Sequence, residues 1–555
     1  MSPRAALLFL ALATGSSAAI CTADAFWKAP PKVFGSEVLD IHAEEVRGWN
    51  EYATASPTFP ALPVEQKPID FCNVTIFYTH PGLNDTIRVS IWLPLQEQEW
   101  NGRFLGQGGG GWAAGGHGAL AAGVALGYAA ADTDAGHTYF GDMADIGLTS
   151  RSWSLTSPGN VNLHALQNFA YRALDDMAWI AKHITKTYYS KDIAYSYWNG
   201  CSTGGRQGLT LAQRYHEQFQ GIISAAPAAN WVTFLVTEYY AHIKMRELNY
   251  YPPICELQAI TKAAIKACDE LDGVKDGVIS APRLCGFDAK SIVGQKYECK
   301  EGDTRQITKE AAEVANAVWT GPLKKDGTPI WHGLAHEAPL AGQANFQGLA
   351  KTKCDSQEKN CKSDPFVISA DWIKQFLLKD PDYDLSNIDE ELFHNLLRIS
   401  RQEYHSIMDT SDPDLTPFKE AGGKLILWHG LGDELIFPNG SLNYYERVKE
   451  ATTDVEDYFR YFEVPGVLHC FGGDGAFPLT ALNSLVDWVE KGKAPDHLDG
   501  QTLPMFSSKP DAEPAYRPLC AYPKVAAYKG GDVNKAESFE CADGFGKVAG
   551  KRDEL

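Results

Sequence analysis

Beyond residue 19 the chain has no apolar run long enough to cross a bilayer, so its body carries no helical membrane span. It also lacks a basic excess: 50 Lys and Arg stand against 70 Asp and Glu, for a formal charge of −20 and a pI near 5.2. That sign is wrong for a partner presenting phosphate backbone or an anionic membrane surface. No Cys-x-x-Cys occurs, which removes the commonest zinc and thioredoxin-like readings. His216-Glu217 and His336-Glu337 are not completed by the second histidine of a zincin motif. The glycine run Gly106-Gln107-Gly108-Gly109-Gly110-Gly111 is followed by neither the Lys-Ser/Thr of a phosphate loop nor an acidic ribose ligand, so no nucleotide cofactor is indicated. Internal repeats and low-complexity tracts are absent as well.

A hydrophobic fraction of 44% and 14 Trp indicate a packed globular protein. At 555 residues the chain exceeds one comfortable core, so a main domain with a large insertion is expected. Residues 1–19 read as a secretory signal: Arg4 at the start, an apolar stretch from Ala5 to Ala13, and Ser17-Ala18-Ala19 for cleavage. The 12 cysteines, an even number, then read as disulfides. Glycosylation sequons begin at Asn73, Asn84 and Asn439. The chain ends Lys551-Arg552-Asp553-Glu554-Leu555, close to a luminal retrieval signal. Two destinations follow, secretion or retention in the endoplasmic reticulum by a retrieval receptor.

Tyr197-Trp198-Asn199-Gly200-Cys201-Ser202-Thr203-Gly204-Gly205-Arg206 contains Gly-x-Ser-x-Gly. An apolar run from Asp192 to Trp198 precedes it, and Leu209, Leu211, Ala212 and Tyr215 follow at helical spacing. Strand, tight turn and helix make this pattern a nucleophile elbow, with the Ser202 hydroxyl at the top of a sheet. Around it, Cys72–His80 and Thr86–Pro94 read as a hairpin, and Gly123–Ala131 as a central strand. A stripe from Leu163 to Ile184 reads as a long amphipathic helix. The strand–helix rhythm stops near Pro227 and resumes at Lys424–His429, with a helix to about Glu450, then Tyr458–Val464 and Ala476–Lys491. The segment between shows no clear strand. The expected architecture is an α/β-hydrolase core in two parts, 20–229 and 416–555, with a lid inserted at 230–415.

A serine hydroxyl needs a base to take its proton and a third group to hold that base. In this fold class the partners come in the order Ser, Asp, His, each after a late strand. Asp433 follows the strand ending at His429, and His469 follows the strand ending near Val464. Glu434 is the competing acid. The oxyanion requires fixed N–H donors, for which the Thr203 amide is the first candidate and Gly109, in the glycine loop, the second. Cys201 adjoins the nucleophile and Cys470 the base. A bond between them would close a loop of about 270 residues, worth roughly 5–6 kcal/mol in the chain-entropy model.

Cys201-Ser202, Asp433 and His469-Cys470 resemble the Cys-Ser, Asp, His-Cys pattern of the fungal tannase and feruloyl esterase family, which also holds a bacterial terephthalate monoester hydrolase. Leu248-Asn249-Tyr250-Tyr251-Pro252-Pro253-Ile254-Cys255-Glu256-Leu257 and Asp414-Leu415-Thr416-Pro417-Phe418 extend the resemblance. It implies the α/β-hydrolase core, the lid, the triad and hydrolysis of aromatic-acid esters without an organic cofactor. It further implies a structural Ca2+ in the lid, held by Asp269, Asp272 and Asp276 and by the carbonyls of Val274 and Val278. The same carboxylates taken alone read equally well as a solvated acidic turn. Disulfides Cys21–Cys72, Cys268–Cys285 and Cys520–Cys541 are also implied, whereas the pairing of Cys255, Cys299, Cys354 and Cys361 is left open. Ser202 to Gly208 resembles the feruloyl esterases more than the tannases, where an acidic residue would stand at Thr203. The expected substrate is therefore a small feruloyl or other hydroxycinnamoyl ester. The alternatives are a galloyl ester, an ester of a secondary-metabolite pathway handled in the secretory lumen, or an inactive binding protein on the same fold.

Overall fold

The computed structural model describes residues 20–50, 67–95, 99–116, 118–137, 147–343 and 347–545. The signal segment 1–19 and the retrieval-type end 552–555 lie outside the described residues. Nine strands form the main sheet: β1 (Glu37–Trp49), β2 (Ile69–Thr79), β3 (Ile87–Pro94), β4 (Arg103–Gln107), β5 (Ala129–Thr133), β6 (Tyr195–Cys201), β7 (Gly221–Ala225), β8 (Lys424–Gly430) and β9 (Phe459–Val464). Their spatial order is β1-β2-β3-β5-β4-β6-β7-β8-β9. The first three pair antiparallel, β3 pairs antiparallel with β5, and the rest run parallel. The central parallel strands are buried on both faces and read as continuous apolar runs. The charged, largely exposed β1 covers one edge, a position where Asp and Glu discourage pairing with another chain.

The hairpin β2–β3 is formed as expected. The stretch 123–131 is not one strand: Gly118–Ala125 is a helix, and β5 starts only at Ala129. Alanine-rich sequence favours the helix, and Gly127, at φ +80, ends it by donating to the Val124 carbonyl. The long amphipathic segment is helical over Leu163–Gln167 and Ala173–Tyr189, with a π-turn at Asn168–Arg172 between them. That turn frees carbonyls for Arg206, a guanidinium with no exposed surface that donates to Ala170 O at 2.9 Å and Phe169 O at 3.2 Å. The arginine of the Gly-Gly-Arg run thus anchors the elbow helix, Thr203–Arg214, to the neighbouring helix.

Strands β7 and β8 are adjacent and parallel, yet nearly 200 residues separate them in the chain, and these form the expected insertion. It is mainly helical, but it contains two short antiparallel hairpins that the sequence pattern did not reveal, Lys296–Lys300 with Asp303–Gln306 and Thr352–Lys353 with Lys362–Ser363. Strands of two to five residues are too short to build an alternating signature. The insertion is stapled by Cys255–Cys299, Cys268–Cys285 and Cys354–Cys361, which resolves the pairing that the sequence left open. After β9, the stretch expected from Ala476 is a two-residue strand, Ala476–Phe477, and then a helix from Ala481 to Lys491.

Cys21–Cys72 and Cys520–Cys541 tie down the two ends of the core. Cys201–Cys470 joins the end of β6 to the loop after β9, with Cα atoms 5.9 Å apart and a sequence separation of 269. Closing so long a loop removes much entropy from the unfolded chain. The double variant Cys201→Ala/Cys470→Ala is expected to lose up to about 5 kcal/mol of unfolding free energy in urea denaturation, and a loss under about 1 kcal/mol would contradict this.

Candidate active site

Ser202 stands between β6 and the elbow helix with φ 62 and ψ −121, a strained conformation for a residue with a Cβ, costing about 1–3 kcal/mol. Its amide donates to Ala225 O at 3.0 Å, and its carbonyl receives the amides of Arg206 and Ala228. Such a turn demands flanking glycines. A Cβ on Gly200 would lie 2.5 Å from the Gly204 carbonyl carbon, and one on Gly108 would lie 2.4 Å from Gly204 Cα. The glycine loop after β4 therefore packs directly on the elbow, fastened by Gly204 N to Gly109 O at 3.0 Å and by Thr203 Oγ1 to Gly111 O at 2.6 Å.

Asp433, the expected acid, sits in the loop after β8. Asp433 has no exposed surface, and both carboxylate oxygens are filled. Oδ1 accepts the amides of Leu435 at 2.9 Å and Ile436 at 2.8 Å. Oδ2 lies 2.8 Å from His469 Nδ1 and 3.0 Å from His429 Nε2. Burial alone would raise this carboxyl, but the charge of His469 and the hydrogen bonds of His429 and His469 hold it far below the ordinary carboxylate range. The expected competitor, Glu434, does not reach the imidazole: its Oε2 accepts the His469 amide at 3.1 Å. Burial and the Asp433 charge push Glu434 up to about 7. Burial disfavours the charged form of His469, yet Asp433 and Glu434 raise its pKa above the usual imidazole value.

His429 is a site residue that sequence reasoning passed over. Its Nδ1 lies 2.7 Å from Ser441 Oγ, and its Nε2 also meets Ile436 O at 3.1 Å. These partners assign the proton to Nε2, where it serves Asp433. As the sixth residue of a buried strand it looked like core, and only its approach to Asp433 distinguishes it. Ser202 Oγ makes no hydrogen bond to His469 among the described residues; the two are brought together by the bond between their neighbours, Cys201 and Cys470. Contacts of this kind tighten when substrate binds.

The Thr203 amide has no acceptor among the described residues, as an oxyanion donor requires. Gly109, the expected second donor, is corrected by the structure: its amide is taken by Gln207 Oε1 at 3.1 Å, while Gln207 Nε2 holds Ala114 O at 2.9 Å. The amide of exposed Gly110 is without an acceptor among the described residues. The side chain that diverts Gly109 comes from the elbow helix, nearly 100 residues on.

The five expected calcium ligands lie on the lid loop after Cys268. Asp269 Oδ1 accepts the amides of Asp276 and Gly277, Asp272 Oδ1 that of Val274, and Asp276 Oδ1 that of Val278. Asp276 Oδ2 pairs with Arg517 at 3.0 Å. Asp272 is pushed up to about 6 by burial, with the Asp276 charge adding to it. Among the described residues the three carboxylates do not converge into a metal-holding cluster. Of the sequons, Asn84 and Asn439 are exposed and Asn73 is half-buried in β2.

Residues 72–542 match the family described as tannase and feruloyl esterase. A probable feruloyl esterase of Arthroderma benhamiae is 41% identical over 525 residues, covering 93% of each chain. The tannase of Aspergillus oryzae is 30% identical over 521 residues, covering 85% of each. Among solved structures, the tannin acyl hydrolase of Aspergillus niger superimposes with a TM-score of 0.82 at 29% identity, over 94% of this chain and 95% of that one. With an elbow serine, a buried Asp–His pair and a family match across most of its length, the chain belongs to the tannase and feruloyl esterase family of carboxylic ester hydrolases.

Proposed function

We propose that the chain hydrolyses esters of aromatic acids, with a feruloyl or related hydroxycinnamoyl ester as the substrate class, through an acyl-enzyme on Ser202. One observation carries this reading: the buried Asp433 carboxylate orients His469, whose neighbour Cys470 is bonded to the residue before Ser202. His469 Nδ1 donates to Asp433, which leaves Nε2 free to accept a proton. The Ser202 oxygen attacks the ester carbonyl and its proton passes to His469 Nε2. The carbonyl electron pair moves onto oxygen, facing the amides of Thr203 and Gly110. Collapse of that intermediate expels the alcohol, which leaves with the proton from His469. Water then attacks the acyl-enzyme, gives a proton to His469, and the acid departs as Ser202 recovers it. The names of the relatives support an aromatic acyl group, as feruloyl esterase and tannase both act on such esters.

Six disulfides among the described residues match folding in the secretory pathway. Within that route we place the chain either outside the cell or, through Arg552–Leu555, in the reticulum lumen; extracellular activity after removal of those four residues separates the two. Glycans at Asn84 and Asn439 belong to the same reading. We also propose a structural Ca2+ on the lid loop, held by Asp269, Asp272 and Asp276 with the Val274 and Val278 carbonyls. Hard oxygen donors on one loop and the repulsion between Asp272 and Asp276 support it. Binding requires the carboxylates to turn toward one another and Arg517 to release Asp276.

Ser202→Ala is expected to lower kcat/KM on methyl ferulate by about 10,000-fold or more with the fold intact by circular dichroism. Retention of a tenth of the activity would remove Ser202 as nucleophile. The pH profile of kcat/KM is expected to fall on the acid side with a midpoint above ~6.5, because His469 must be neutral to act and its pKa is raised. Glu434→Gln removes one of the raising charges and should move that midpoint down; a shift upward contradicts the assignment. A chelator is expected to lower the melting temperature, and Asp272→Asn to do the same while sparing the rate per folded molecule. Native protein free of calcium by elemental analysis would disprove the metal.

A further inference from the structure

Among the buried acids near the site, one stands apart. Glu337 accepts the amides of Ile279 and Gly466, Asp371 accepts from Thr149 and Ser150, and Asp409 accepts from Val232 and pairs with His405. Glu238 is 2% exposed, and neither of its carboxyl oxygens has a hydrogen-bond partner among the described residues. A polar group buried in this way costs stability with no return from the fold itself.

Its surroundings point toward the chemistry. Glu238 caps the helix Trp231–Thr237, and its amide donates to Phe234 O at 2.8 Å. Positions 231, 234 and 238 share one helical face. On that face Trp231 packs on Trp112, the residue that ends the glycine loop, with ring centroids 5.1 Å apart. Burial holds the Glu238 carboxyl well above its ordinary value, and the charge felt beside it is that of Asp433. A neutral carboxyl carries one donor and a free acceptor. It borders a cavity of about 10 Å3 that lies mainly between this helix region and the insertion, lined by Tyr240, Val318, Pro322 and Leu349 as well as by Phe437, four residues beyond Asp433. A space of that size is about enough for one water-sized polar group.

We propose that Glu238 is a specificity-determining residue that hydrogen-bonds a hydroxyl group of the ester substrate. The carboxyl O–H donates to the hydroxyl oxygen while its C=O accepts the hydroxyl proton, so an isolated buried acid becomes paired only when a hydroxylated substrate is bound. A substrate lacking the hydroxyl leaves the acid unpaired, and sites of this kind discriminate strongly against such analogues. The inference rests on the ester-hydrolase reading above. The hydroxyl belongs either to the acyl ring or to the alcohol, and the chemistry at Glu238 is the same for both.

The test compares kcat/KM for the methyl esters of 4-hydroxycinnamic and cinnamic acid, and for a cinnamoyl ester of a sugar, in wild type, Glu238→Leu and Glu238→Gln. Wild type is expected to favour a hydroxylated ester at least tenfold over methyl cinnamate. Glu238→Leu should abolish that preference by slowing the hydroxylated ester, and should melt higher because an unpaired acid is gone. Glu238→Gln, which keeps a donor and an acceptor, should restore part of it. Loss confined to the ring-hydroxylated ester places the hydroxyl on the acyl group, and loss confined to the sugar ester places it on the alcohol. An active Glu238→Leu enzyme with an unchanged preference overturns the role of Glu238 alone. A wild-type protein that hydrolyses none of the three overturns the ester-hydrolase reading with it.

Discussion

A carboxylate without exposed surface, that of Asp433, organises the proposed active site. Taking an ion of that size out of water costs several kcal/mol even after relaxation, and Asp433 is kept charged by four hydrogen bonds, two from backbone amides and two from imidazoles. Each bond fixes a further element. The amides of Leu435 and Ile436 shape the loop after β8, His429 links that loop to Ser441 on the following helix, and His469 receives its tautomer and direction. The proposed base is thus oriented by a buried carboxylate on the loop that directly follows the parallel strand β8.

The second constraint is close approach of backbone to backbone. The glycine loop meets the elbow with no side chain between them, so Gly108 and Gly204 are mutually required. This contact sets which amides remain open. Gln207, one turn into the elbow helix, occupies Gly109, and the amide of exposed Gly110 has no acceptor among the described residues. The Cys201–Cys470 bond then holds the third wall, tying the histidine loop to the serine turn across the lid's entire insertion. Placed on the two residues that flank Ser202 and His469, it removes a degree of freedom that the sheet alone would leave to the loops.

Glu434 and Glu337 illustrate how acids near the triad can be structural. One receives the His469 amide, and the other bridges Ile279 of the lid loop and Gly466, three residues before His469. Through Glu337 the acidic lid loop and the histidine loop share one hydrogen-bonded carboxyl.

The strand–turn–helix at Ser202, the meeting of Asp433 with His469, the long insertion between two adjacent strands and the pairing of Cys201 with Cys470 were legible in the sequence, because each rests on short motifs and on strand–helix rhythm. Local pattern also misled: apolar continuity through Gly123–Ala131 concealed a helix stop at Gly127, and hairpins of a few residues in the lid left no periodic trace. The occupation of the Gly109 amide by Gln207, the second histidine on Asp433, the pairs Cys255–Cys299 and Cys354–Cys361, and the isolation of Glu238 among the described residues were decided only by tertiary structure. Each depends on which groups from distant parts of the chain approach within hydrogen-bonding or bonding distance. Periodicity reports the face a residue occupies, but not the partner that waits on it.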